Sequence, residues 1–288
     1  MSGPTTELRR LLAGEPFVAA EAYSALTARI VEHVGFPAAY MGGHATGMMH
    51  YAIPDSGLLT TTEMVDQAGR VAARVGIPVI VDADQAGESV GNIVRTVRAF
   101  EAAGVAGVHI EDEINPKHSA YDGPLLAVGE MQARLAAAVD ARRDPDFVII
   151  ARCDELYAEG GGGSGSIAET IRRGVAYAEA GADVFLATFA PADALATMVA
   201  EIPVPLAGYG PLAPGLALSL FTGWGTASAA RAHLDVARHL FEHGDVPPEA
   251  YGFPEKDTLI DQDLYDEVVR TWARRTGRPV VGEPVSGG

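Results

Sequence analysis

The chain has 288 residues, 48% of them hydrophobic and 20% charged, a composition that buries a sizeable core and excludes a disordered chain. Asp and Glu number 38 against 21 Lys and Arg, a net charge of −17, which argues against a nucleic-acid binder or a protein docked on anionic lipid. The single cysteine, Cys153, excludes an intramolecular disulfide and a multi-cysteine metal site, the N-terminal stretch has no apolar signal core, and no apolar run reaches the roughly 18 residues of a membrane helix, so a cytoplasmic location is expected.

A recurring phrase organises the chain: an Ala-rich amphipathic stretch, a glycine, then an apolar run. It occurs at 31–41, 71–81, 100–110 and 177–187, with Gly35, Gly76, Gly104 and Gly181 at the expected helix ends. In chain order the strand candidates are 17–23, 38–43, 78–84, 107–112, 147–154, 183–189, 205–210 and 216–223. Helical stretches separate all but the last pair, where only PLAP intervenes. Eight strands in this rhythm predict a (β/α)8 TIM-type barrel whose seventh helix is missing or vestigial. The Gly-rich run 160–166 reads as a flexible loop after the fifth strand. Beyond a Pro-rich connection, residues 258–275 predict a C-terminal extension helix with Ile260, Leu264, Tyr265, Val268 and Trp272 on one stripe. The expected domains are therefore a catalytic barrel, 1–245, and an extension, 246–288, whose helix packs on its own barrel or on a neighbouring subunit.

Barrel chemistry gathers at the C-terminal ends of the strands. The third strand ends in Asp82 and Asp84, which alternation places on one face; the fourth carries His109 and Glu111; the fifth ends in Arg152 and Asp154. Converging inward carboxylates repel one another unless a hard divalent ion joins them, and Mg2+ suits oxygen donors best, with Mn2+ the alternative. Cys153 alternates away from Arg152 and reads as a small buried residue. Gly42, Gly43 and His44 offer backbone N–H groups for a carboxylate or oxyanion, or merely form a tight turn. The polar segment 113–123, with Lys117 and Ser119, has the position and composition of an active-site lid.

Asp82-Ala83-Asp84, His109-Ile110-Glu111-Asp112, Asn115-Pro116-Lys117, Ile150-Ala151-Arg152-Cys153-Asp154, Tyr40-Met41-Gly42-Gly43 and Ile53-Pro54-Asp55 occur in one order. Together they resemble the isocitrate lyase/phosphoenolpyruvate mutase superfamily, especially its short 2-methylisocitrate lyase-like and carboxyphosphonoenolpyruvate mutase-like members. The resemblance implies a barrel binding one Mg2+, a small 2-oxo or 2-hydroxy acid substrate, and a homotetramer that exchanges its C-terminal helix. It implies Asp82 as direct metal ligand, with Asp84 and Glu111 holding metal-bound waters. It further implies Arg152 on the substrate carboxylate, Gly43 and His44 on a carboxylate, and Tyr40 and Asp55 beside the reacting centre. Departures are equally visible. The lyases carry Lys-Arg-Cys-Gly-His in the lid where Lys117-His118-Ser119-Ala120-Tyr121 stands here, and a Ser hydroxyl is a far weaker acid than a thiol. Gly42 replaces a Ser, Thr188 a Glu or His, and the usual Asn near Gly208 is absent, so most of a second-carboxylate pocket is missing.

The expected function is a Mg2+-dependent lyase making or breaking a C–C bond next to an α-keto or α-hydroxy acid through a metal-stabilised enolate, and not classical 2-methylisocitrate cleavage. The alternatives are a phosphonomutase or phosphonopyruvate hydrolase-like enzyme, and a degenerate barrel retained for binding or assembly. The expected partners are a small anionic substrate and further copies of the chain.

Overall fold

The computed structural model describes residues 3–120, 123–157 and 162–281. The chain divides into two compact units, Met1–Ala229 and Ala230–Gly288.

The first unit alternates helices and strands: α1 (Pro4–Leu12), β1 (Phe17–Glu21), α2 (Ala25–Val34), β2 (Ala38–Met41), α3 (Gly43–Thr46), a π turn (Gly47–Tyr51), α4 (Thr61–Ala72), β3 (Val79–Asp82), α5 (Val90–Ala102), β4 (Gly107–Glu111), α6 (Val128–Ala141), β5 (Val148–Cys153), α7 (Ile167–Glu179), β6 (Val184–Ala187), α8 (Ala192–Glu201), β7 (Leu206–Tyr209) and β8 (Leu218–Phe221). The strands are all parallel and close in sequence order, β1 against β8. This is the expected (β/α)8 barrel. No helix joins β7 to β8; instead Leu216 of the short connection is buried against Gly208, where a Cβ would meet its side chain at 2.9 Å. That close approach accounts for glycine on β7.

Side-chain hydroxyls start the helices. Ser24 and Thr60 form capping boxes with Thr27 and Glu63, and Ser89 and Ser166 accept from Asn92 and Glu169 N–H groups. After α2, α5 and α7 the chain turns through Gly35, Gly104 and Gly181 at positive φ, as the repeated phrase predicts. Gly76 differs: it lacks positive φ, and its N–H donates to Glu32 at 2.7 Å.

The core has two layers. Phe17, Ile80, Ile150, Leu186 and Leu220 fill the barrel interior with Leu8 of α1, while Val81, Val108, Ile149 and Phe185 face the helices. Buried on both faces, these strands lack polar alternation. At the other end Glu21 closes the β1–β8 seam. Its carboxylate accepts from the Thr222 hydroxyl and from the N–H groups of Gly223, Gly225 and Thr226, capping α9 (Trp224–His243).

Helix α9 runs across the division between the units, ahead of the Pro-rich segment where the sequence divides the chain. The second unit continues with a 3-10 turn (Pro248–Tyr251), α10 (Lys256–Leu259) and α11 (Gln262–Thr276). The helix predicted over 258–275 is thus two helices, because Asp261 adopts φ 57 and breaks the ladder. Ile260 falls in the break, while Leu264, Tyr265, Val268 and Trp272 on α11 are all exposed. Among the described residues no helix is long and apolar enough to cross a membrane.

Candidate active site

The strand register assembles the polar cluster. Asp82 on β3 pairs with His109 on β4, and Glu111 with Arg152 on β5. All four are buried at the C-terminal rim of the barrel. One donor atom each from Asp82, His109 and Glu111 lies within 4.8 Å of the others.

Alternation fails two residues beyond the end of β3. The strand ends at Asp82, and Asp84 sits in a turn at φ 47, so the two aspartates do not share a strand face. The turn instead bends Asp84 toward the lid. Three positive-φ residues, Asp84, Ala86 and Gly87, follow in close order. Buried Arg134 of α6 secures this loop by donating to the carbonyls of Gln85, Gly87 and Glu88. Asp82 is fixed by two backbone donors, Gly43 N–H at 3.0 Å and Asp84 N–H at 2.9 Å. The Gly43 N–H expected for a substrate carboxylate is therefore engaged by the protein's own. A Cβ at Gly43 would lie 3.0 Å from Asp82 Oδ2, so a larger residue would displace this carboxylate.

Lys117 is 2% exposed. Its Nζ lies 2.5 Å from Asp84 Oδ1, 2.7 Å from Glu111 Oε1 and 3.8 Å from Asp55. His118, next in the lid, sits with Nδ1 3.5 Å from Asp55 and Nε2 3.4 Å from Glu113. Arg152 pairs with Glu111 and Asp154, each at 2.8 Å, and reaches Glu113 at 3.8 Å. Six carboxylates (Asp55, Asp82, Asp84, Glu111, Glu113 and Asp154) therefore gather around three cations (Lys117, His118 and Arg152).

The protonation pattern reflects that imbalance. Burial pushes the Glu111 carboxyl well up, against the pull of Arg152 and Lys117, and burial likewise raises Asp84. Burial also opposes charge on Asp82, but His109, Lys117 and Arg152 together hold it below the usual carboxylate range. Burial lowers His109 to about 4, so its imidazole is neutral. Hydrogen bonding to Asp55 and Glu113 lifts His118 to about 10 and keeps it charged. Lys117 lies well above an ordinary lysine, because Glu111, Asp82 and Asp84 outweigh its desolvation.

The pocket above this cluster is lined by Tyr40, Gly42, Gly43, His44, Asp55, Asp82, Arg152 and Thr188, all singled out in the sequence. Tyr40 is buried, with its hydroxyl 2.9 Å from His109 Nε2. Gly42 lies against Tyr40, where a Cβ would approach the ring within 3.3 Å. Thr188 Oγ1 is buried without a hydrogen-bond partner. Asp84, Glu111 and Lys117 are not among its lining residues. Ser119 is exposed and its hydroxyl donates to Pro116 O at 2.7 Å, away from the lining. Cys153 is buried among apolar side chains, and desolvation pushes its thiol well up, in keeping with an inert residue. Of the Gly-rich run, residues 160 and 161 lie outside the described residues. Gly165 N–H and Ser164 N–H are bonded to Glu155, which holds the remainder against β5. Residues 121 and 122 of the lid are likewise outside.

Sequence reasoning missed His118, Glu113, Tyr157, Phe189, Tyr209 and Thr222, which complete the lid contacts and lining. Glu113 and His118 flank the motifs and were open to notice. The aromatics come from the ends of β5, β6 and β7, and nothing in their local spacing sets them apart.

Residues 8–232 match the family model described as phosphoenolpyruvate phosphomutase. Among curated proteins, the chain is 41% identical over 181 residues to 2,3-dimethylmalate lyase of Eubacterium barkeri, spanning 62% of this chain but only 61% of that protein. It is 32% identical over 275 residues to oxaloacetate decarboxylase of Rhodopseudomonas palustris (strain BisB5), spanning 91% of each. Among solved structures, phosphonopyruvate hydrolase in complex with oxalate and Mg2+ matches with TM-score 0.80 and 28% identity, covering 95% of this chain and 99% of that one.

Proposed function

The chain belongs to the phosphoenolpyruvate phosphomutase family, within the isocitrate lyase/phosphoenolpyruvate mutase superfamily, and from that premise we propose a divalent-metal-dependent lyase that makes or breaks a C–C bond beside a 2-oxo or 2-hydroxy acid. The observation that carries this reading is the excess of buried carboxylate over cation at the rim of β3–β5. A largely buried cluster of this sign calls for a further positive charge.

The residues present fit such an ion. Asp82, His109 and Glu111 converge their donors, and His109 Nδ1 has no hydrogen-bond partner. Asp82, Asp84 and Glu111 are oxygen donors suited to Mg2+ or Mn2+, and the hydrolase relative was solved with Mg2+. When bound, a divalent cation supplies Lewis-acid polarisation of a 2-oxo group. Asp82 is held ionised and aimed by Gly43 and Asp84. Neutral His109, bonded to Tyr40, keeps its second nitrogen turned toward Asp82, 3.6 Å away. Arg152, stacked over the Tyr209 ring at 5.6 Å, presents a guanidinium to the substrate carboxylate. His118, charged through neutrality and lining the pocket beside Asp55, supplies the proton that a lid thiol supplies in the lyases. Ser119 is assigned no part. Lys117 ties the lid, 113–123, to Asp84 and Glu111, so closing the lid and completing the charge balance are one event.

The barrel through residue 245 acts as the catalytic unit, and 246–288 as an extension docking on another copy, in a dimer or tetramer. The exposed Leu264, Tyr265, Val268 and Trp272 support that assembly. A phosphonomutase or phosphonopyruvate hydrolase-like reaction is the second reading, favoured by the likeness to the hydrolase.

The deciding experiment is a mass-spectrometric turnover screen with Mg2+ and with Mn2+, offering oxaloacetate, 2-methylisocitrate, substituted malates, phosphonopyruvate and phosphoenolpyruvate. Carbon–carbon cleavage that disappears in Asp82→Ala, together with calorimetric metal binding, supports the lyase. Turnover of phosphonopyruvate alone supports the second reading. Metal binding with no turnover on any acid marks a barrel kept for binding.

A further inference from the structure

The three residues whose donors converge, Asp82, His109 and Glu111, are not equally open to an ion. Each Asp82 oxygen accepts one backbone N–H, from Gly43 or from Asp84, and keeps a lone pair. The second nitrogen of His109 has no hydrogen-bond partner. Glu111 is different, because both of its oxygens face a side-chain cation. Oε1 accepts from the Lys117 ammonium at 2.7 Å, and Oε2 is ion-paired with Arg152 Nη1 at 2.8 Å. The same ammonium donates to Asp84 Oδ1 at 2.5 Å. A divalent ion that binds Glu111 therefore meets Lys117 on one oxygen or Arg152 on the other. Two cations on one carboxylate oxygen repel at close range, and burial removes the water that would screen them.

The two cations are held with unequal strength. Arg152 belongs to strand β5 and has a second buried partner, Asp154, reached by Nε at 3.2 Å and Nη2 at 2.8 Å; its guanidinium also lies over the Tyr209 ring. Lys117 belongs to the connection between β4 and α6, and its ammonium ends a flexible stem. Its partners are Asp84, Glu111 and, at 3.8 Å, Asp55. Two of these three are carboxylates suited to the ion.

From this arrangement we infer that Lys117 is a built-in competitor of the metal. The ammonium and a divalent ion take the Glu111 and Asp84 oxygens in exclusion of one another, so loading the site frees Lys117 and loosens its segment. This rests on the metal reading above and names the regulation of that same site. His118, paired with Asp55 and Glu113, and the Gln85 side chain, which donates to Glu113 O, still anchor the segment. The loosening is therefore local to Lys117. The ion and the lid contact are antagonists, and by linkage each weakens the other by the same factor.

The test is calorimetric titration of the full chain with Mn2+ after EDTA treatment. Lys117→Met should bind Mn2+ at least about ten-fold more tightly than the native chain, within the usual range of coupling between two ligands. Lys117→Gln, neutral but polar, should do the same and covers the case in which the Met variant fails to fold. A second measurement needs no variant. In hydrogen-exchange mass spectrometry of the native chain, Mn2+ should speed amide exchange over 115–119 while slowing it over 82–85. Equal or weaker Mn2+ binding in the folded variants, or a native segment 115–119 that becomes more protected with Mn2+, overturns the inference. Binding by the variants alone supports it. Absence of Mn2+ binding to native and variant chains alike overturns the metal reading beneath it.

Discussion

Lys117→Met keeps the length and apolar stem of the side chain and deletes its ammonium. That group lies 2.5 Å from Asp84 and 2.7 Å from Glu111, in a site where Lys117 is 2% exposed. Removing one partner from a buried ion pair costs about 3–5 kcal/mol, because the other charge is left without compensation. In a domain of this size each kcal/mol shifts Tm by about 2–4 °C, so a fall of roughly 6–20 °C is expected in EDTA at pH 8. The pH dependence has a definite sign. Burial already holds Glu111 and Asp84 above ordinary carboxyl values, and loss of Lys117 raises both further. A carboxyl whose folded pKa exceeds its unfolded value adds stability at low pH, and this is lost as pH rises through the folded value. The deficit should therefore be small near pH 5 and widen toward pH 8. Mn2+ should narrow it, since the ion neutralises the same oxygens. Differential scanning calorimetry of native and variant protein, with EDTA and with Mn2+, measures all three. Equal Tm values in EDTA at pH 8, or a deficit that shrinks with rising pH, would refute the assignment of Lys117 as counter-ion.

Arg134→Met leaves the carbonyls of Gln85, Gly87 and Glu88 without their shared donor; a loss of about 2–4 kcal/mol is expected, with faster amide exchange over 85–88 in hydrogen-exchange mass spectrometry, and unchanged exchange would show that another contact holds the loop. His118 should titrate near pH 10 by nitrogen-15 NMR and show no change between pH 6 and 8; a midpoint near 6.5 would mean that Asp55 and Glu113 do not engage it. Its contribution to stability is fully present below about pH 6.5 and lost as pH rises through 10, so Asp55→Asn should bring the midpoint down. Light scattering should give a dimer or tetramer for the full chain and a smaller or aggregated species for a chain ending at residue 250; a monomeric full chain removes the docking role of α11.

The order of barrel strands, the missing helix before β8 and the placing of Asp82, Glu111 and Arg152 at one rim were legible in the sequence. Each follows from local chemistry: glycines that turn helices into strands, apolar runs too continuous for a half-exposed sheet, and polar residues held to strand ends. Even the family resemblance rests on such short phrases. Strand alternation stopped being a guide where the strand stopped. Asp84 lies two residues beyond Asp82 yet turns away at positive φ, because Arg134, 50 residues later, gathers the loop carbonyls around itself. Lys117 reads as a lid residue in the sequence, and its position as the counter-ion of Asp84 and Glu111 depends on how 113–120 folds over the rim. His109 becomes a donor beside Asp82 through the register of β3 against β4, and the aromatic side of the pocket exists only because three separate strand ends meet across a closed barrel. Local sequence fixes what each segment can be; which side chains share a charge or a cavity is set by barrel closure, which brings together groups that no spacing along the chain relates.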